Sequence, residues 1–161
     1  MLLVAKRRSP LLQAGLLVLA AAAGVPGIWA TLDPAGFYAT FPASGVAGPG
    51  GPFNWLALFP PFNEHLIRDY GALNLGYAAL LLWAALRPTI QLVRAALVAW
   101  LISWIPHAAF HLLHIGELQP LDAIGQTLAI IAVVGIPLFL LVFARSDGRP
   151  EQAARLSVRG R

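Results

Sequence analysis

There is no cysteine anywhere in the 161 residues. Disulfides, thiolate metal sites and cysteine nucleophiles are thereby excluded, and any metal would have to be held by histidine and carboxylate. Charge is also scarce, with Asp, Glu, Lys and Arg making up 11% of the chain against 58% hydrophobic residues. A mean hydropathy of +0.72 is too apolar for an ordinary soluble domain. Lys and Arg are missing altogether from residues 34–63 and from residues 116–122. The basic isoelectric point, near 10.4, would suit nucleic acid, but the placement of the positive charges argues for a membrane instead.

What is present is a set of four apolar stretches, at roughly residues 11–31, 66–86, 95–115 and 123–144. Each has the ~20-residue length needed to cross a hydrocarbon core. They predict an all-α membrane protein, one domain over residues 1–161, built as a four-helix transmembrane bundle with a long extracytoplasmic loop between the first and second helices. Lys6, Arg7 and Arg8 precede the first span, Arg87 and Arg94 flank the link between the second and third, and Arg145, Arg149, Arg155, Arg159 and Arg161 follow the fourth. The positive-inside rule then places both termini and the middle link in the cytoplasm, with the bacterial inner (plasma) membrane as the expected location. The 145–161 tail is expected on anionic headgroups, either flexible or as a short amphipathic helix. A basic start followed by Ala20 to Ala23 also fits a secretory signal peptide. The apolar run continues through Val25, Ile28 and Trp29, so a retained helix is expected.

Asp33 and Pro34 should end the first helix, and Pro26 should bend its outer third. Residues 34–63 hold Phe37, Tyr38, Phe41, Phe53, Trp55, Phe59 and Phe62. Such a density of rings predicts a folded cap at the membrane interface, with the glycine-rich 45–51 stretch as its mobile part. Asn63 is the expected N-cap of the second span. Pro106 should kink the third by freeing the Ile102 carbonyl, and Pro137 should serve packing in the fourth.

The concentrated chemistry is on the third span, where His107, His111 and His114 are spaced four and three apart. At ~100° per residue they share a stripe about 60° wide, which Ser103 and Trp100 continue inward. An i,i+4 histidine pair is the spacing zinc enzymes use to put two imidazoles on one ion. His65 and Asp69 on the second span are also i,i+4, so the carboxylate can orient the ring. Glu64 and Arg68 read as an interfacial ion pair, Glu117 as a solvated loop charge and Asp122 as the N-cap of the fourth span. All four are accessory candidates for the site. Asn74 lies opposite His65 and is expected to bond another helix. The alternative for the histidines is a structural network or a hydrated vestibule. Since the inner halves of the spans carry little polarity, a one-sided outer site is expected rather than a conducting pathway.

The phrase Asn63-Glu64-His65-Leu66-Ile67-Arg68-Asp69-Tyr70-Gly71, with Pro106-His107 through His114, resembles small four-span bacterial inner-membrane proteins loosely grouped as DoxX-like. The resemblance covers roughly residues 37–144 and implies a fold and a membrane but no activity. In mechanism alone, His107, His111, His65 and Asp69 look like the zinc set of the seven-span alkaline ceramidase and progestin-receptor-like hydrolases, from which the span count departs. The leading expectation is an outward-facing site with His65, His107, His111 and His114 as ligands for zinc or copper and Asp69 orienting His65, acting on a lipid if the ion keeps an open position. The alternatives are a small non-enzymatic subunit that docks a membrane partner protein or lipid, and a b-type haem held by His65 and a third-span histidine.

Overall fold

Ser9 opens the first helix, its hydroxyl accepting from the Leu12 N–H, and Pro10 occupies the first helical position, where its missing N–H costs nothing. In this computed structural model residues 9–42, 54–57, 59 and 61–146 are described. The Lys6 to Arg8 run, the 45–51 stretch, Phe53 and the tail from residue 147 lie outside them. The described residues form α1 (Pro10–Leu32), α2 (Pro34–Thr40), α3 (Glu64–Leu86), α4 (Ile90–Leu113), a 3-10 turn (Ile115–Glu117) and α5 (Pro120–Ser146). There is no strand among them, only an isolated antiparallel bridge between Pro42 and Asn54.

Three of the helices are long and apolar enough to cross a membrane: α1, α4 and the Pro120–Ala144 portion of α5. The fourth long helix, α3, runs 23 residues but opens on Glu64, His65, Arg68 and Asp69. Its ends are capped as expected at Asn63, whose side chain accepts from the Leu66 N–H at 3.1 Å. Asp33 caps two helices, not one. It ends α1, and its carboxylate accepts from the Gly36 N–H at 2.9 Å to start α2, a short helix that was not foreseen.

The main partner of α3 is α1, and that of α4 is α5. Glycine sets the first pairing. A Cβ on Gly71 would come within 2.8 Å of the Thr31 backbone N and 2.9 Å of the Gly27 carbonyl oxygen, so only glycine allows the two backbones this close. The short Arg87 to Thr89 link joins α3 to α4 at one end of the bundle. That end, the turn end, is solid. Leu16, Leu19 and Ala23 of α1, Leu81 and Ala84 of α3, Ala96, Leu97 and Trp100 of α4, and Leu140 and Ala144 of α5 close on one another there.

Pro137 does more than pack. Lacking an N–H, it leaves the Val133 carbonyl without its helical donor, and the Trp100 indole N–H supplies one at 2.7 Å. This ties α4 to α5 where the solid half ends.

Candidate functional site

Toward the opposite end, the cap end, the two helix pairs part and leave a partly open cavity of about 470 Å³ between them. Every α-helix contributes to its wall: Ala22 and Pro26 from α1, Phe37 from α2, Leu66, Ile67 and Tyr70 from α3, Trp104, His107 and His111 from α4, and Gln126, Ala129, Ile130 and Val133 from α5. Phe41, Trp55 and Leu56 complete it from the cap. The volume is that of a site for one drug-sized molecule, about 300–1,000 Å³.

The cap is fastened at named points. Trp55 donates its indole N–H to Asp122 Oδ1 at 3.0 Å, and its backbone N–H to the Phe41 carbonyl at 2.9 Å. Its ring lies over Gly125, where a Cβ would meet Trp55 Cζ2 at 3.2 Å. Tyr38 donates its hydroxyl to the Phe59 carbonyl at 3.1 Å. The Phe59 ring then meets His111 and His114 edge-on, with centroids 5.9 and 6.0 Å apart. Phe37 is buried against Trp29, Phe41 and Tyr70, so the folded aromatic cap expected from the sequence is present in the described residues.

On α4 the histidine stripe is real and continues through aromatic rings. Trp100 stacks on Trp104 at 5.0 Å, Trp104 meets His107 at 4.9 Å, and His107 meets His111 at 4.5 Å between centroids. Ser103, expected to extend the stripe, is exposed and lines a separate 120 Å³ crevice with Asn74, Tyr77 and His107. His114 turns back on its own helix: its Nδ1–H donates to the Phe110 carbonyl at 2.7 Å, so Nε2 is its free acceptor.

The structure brings His107 and His111 together at the cavity and leaves His65 out. The His65 side chain is 85% exposed, paired with Asp69 at 3.4 Å, while its neighbours Leu66 and Ile67 face the cavity. Spacing along α3 does not fix which of its faces turns inward, because the polar pairs sit beside, not on, the packed face. Glu64 and Arg68 make the expected ion pair at 2.9 Å, and Arg68 also reaches the Thr31 carbonyl. Glu117 is exposed in the 3-10 turn, as expected.

Two expectations are corrected. Asp122 is not an N-cap: α5 begins two residues earlier, at Pro120, which suits the first helical position, and Asp122 is buried in the first turn as the acceptor for Trp55. Asn74 bonds no other helix through its amide nitrogen, which donates to the Tyr70 carbonyl of its own helix at 2.9 Å. Gln126, which the sequence sets one turn beyond Asp122 without giving it a role in the site, is 3% exposed and lies on the cavity wall. Its i,i+4 relation to Asp122 places it on the same face of α5.

Among the described residues, no three His, Cys, Asp or Glu side chains come together as a group able to hold a metal ion. His107 and His111 supply two imidazoles, and Gln126 and Tyr70 are further polar side chains of the wall. His111 and Gln126 are neighbours on this wall and form a side-chain hydrogen bond in which the amide oxygen accepts from the imidazole. No family model, curated protein or solved structure matches the chain.

Proposed function

We propose that the chain is a four-span membrane protein with cytoplasmic termini whose cavity, in the extracytoplasmic half, holds a lipophilic molecule with its polar end at His107, His111 and Gln126. The observation that carries this reading is the cavity itself. Its wall is mainly apolar and aromatic, and the His107, His111 and Gln126 side chains give it one polar side. A largely apolar space of this size with a few convergent polar groups is the usual form of a small-molecule site. The assignment of α3 as a span rests on its length, ~35 Å at 1.5 Å per residue, and on its pairing with α1 along the glycine contact. Its polar first turns then lie at the headgroups.

Gentle extraction followed by mass spectrometry of bound small molecules tests the proposal. The wild type should carry a lipophile that the cavity-filling variant Ala129→Phe loses. Retention of the same molecule by that variant, or its absence from both, would sink the reading.

A second reading places zinc or copper at the same point, supported by the 4.5 Å approach of the His107 and His111 rings. His107 and His111 would be its protein ligands, and the ion would supply Lewis-acid activation of a substrate or of water. Dialysis against zinc or copper should then give one ion per chain, lost in His107→Ala and His111→Ala and kept in Glu117→Ala. A wild type that binds neither ion removes the metal and leaves the cavity. The haem reading needs His65 as a ligand, and His65 stands exposed outside the cavity. A docking role falls to the exposed Glu64, His65 and Asp69 surface if the cavity holds nothing.

A further inference from the structure

Among the described residues, the cavity is closed below and above and open at one side. Below it lies the solid turn end, where Leu16, Leu81, Leu97 and Leu140 close on one another. Above it the cap is pinned through Trp55 to Asp122 and through Tyr38 to the Phe59 carbonyl, and the Phe59 ring meets Phe110 edge-on. The seam between α3 and α4 is filled by large rings, Tyr70, Trp104 and His107, which line both the cavity and the 120 Å³ crevice. The seam between α1 and α5 differs. It is tight near the turn end, where a Cβ on Gly15 would meet Leu140 Cδ1 at 2.8 Å. Closer to the cap, Ala22 and Pro26 of α1 and Ala129 of α5 line the cavity, and Ala129 is exposed while the other two are half-buried. A side chain that meets the cavity and the exterior at once marks an opening, and methyl groups are too small to close it. Leu66 is also exposed and on the wall, but it stands in the first turn of α3 beside Glu64 and His65, at headgroup level.

Resting on the cavity reading above, we infer that the gap between Ala22 and Ala129 is a lateral window, and that the ligand is a lipid dissolved in the bilayer, which enters from the cap-side leaflet without passing through water. Both residues stand ~14–15 Å along their helices from the cap ends at Leu32 and Pro120, at 1.5 Å per residue. That depth lies within the hydrocarbon of one leaflet, half of a ~30 Å core. The helix surfaces beside the window are apolar, with Val25 66% and Leu128 62% exposed. A water-borne solute would have to lift the cap and break the Trp55 and Tyr38 hydrogen bonds. A lipid chain already lies against the window, and passing through it exchanges one apolar surrounding for another. Occupancy then follows the amount of the lipid in the leaflet, not its concentration in water.

Because the chain has no cysteine, the window can be bridged chemically. The full-length Ala22→Cys, Ala129→Cys double variant in lipid nanodiscs is joined by a bifunctional methanethiosulfonate that spans the gap. Hexadecane carrying a mid-chain diazirine serves as the bilayer-borne probe, and labelled residues are located by mass spectrometry. With the window free, light should attach the probe to wall residues such as Ile130 and Tyr70. Bridging before the probe is added should abolish that labelling, and reducing the bridge should restore it. Bridging after loading should leave the labelling intact, which separates a shut entrance from a filled cavity. The Leu73→Cys, Ser103→Cys double variant, bridged across the crevice between α3 and α4, should label as the unbridged protein does. Labelling that does not depend on the order of bridging and loading, or that the crevice bridge blocks instead, overturns the window and leaves the cavity reading in place. A wild-type wall that the probe never labels overturns the cavity reading itself, and the window with it.

Discussion

Replacing Trp100 by Phe would keep the ring and delete one N–H, and that N–H is the donor to a carbonyl that Pro137 has left free. A buried carbonyl without a partner costs about 1–3 kcal/mol, so unfolding in detergent should be easier by that amount. Pro137→Ala restores a helical donor for Val133, so the double variant should recover part of the loss. An additive double variant would show that the two residues do not share this carbonyl. His65 makes a contrasting case at the same scale. Because it is exposed, His65→Ala should leave bound lipophile or metal unchanged in the assays above, whereas the same change at His111 should not. Loss of ligand in His65→Ala would mean that α3 turns its other face to the site in the membrane.

Between elements, close approach is the main theme. Gly71→Ala should separate α1 from α3, since the added Cβ meets backbone atoms that cannot give way, at a cost of roughly 1–3 kcal/mol or more. Gly76→Ala on the same helix meets nothing within 4 Å and should be neutral or stabilising, by up to ~1 kcal/mol. Comparing melting temperatures of the two variants isolates packing from helix propensity. The cap responds to a different pair. Trp55→Phe removes the N–H to Asp122, and Gly125→Leu removes the seat of the indole. Both should raise amide hydrogen exchange at residues 54–57, and unchanged exchange would show that the cap is held elsewhere. Much of this level was legible in the sequence. Asn63, the Asp33 and Pro34 stop, and the ring-rich cap follow from local chemistry. The contacts across the bundle did not, because which side of α3 faces α1 is decided by Gly27 and Gly71 jointly, and neither glycine signals it alone. The cavity was equally hidden, being defined by residues from every helix and from the cap.

For the molecule as a whole, the absence of cysteine makes single-cysteine mapping clean. Glu117→Cys, exposed at the cap end, should react with a membrane-impermeant maleimide added outside intact spheroplasts, and Gln91→Cys, exposed near the turn end, only after permeabilisation. The reverse pattern would invert the topology and place the cavity on the cytoplasmic side. The four-helix count was read from hydropathy, and the structure agrees on four long helices while marking three as apolar enough to span. The difference lies in the polar opening of α3, Glu64 to Asp69, which shortens its apolar run at the end where the cap lies.

The contrast between a solid turn end and a hollow cap end also makes hydrostatic pressure informative. Unfolding eliminates internal voids, so compression favours it in proportion to the empty space enclosed. A chain with its 470 Å³ vacant should unfold at distinctly lower pressure than the same chain with that space occupied. The half of the bundle built on Leu16, Leu81, Leu97 and Leu140 should meanwhile resist compression, so loss of structure should begin around Trp55 and His111 and travel toward the link at Pro88.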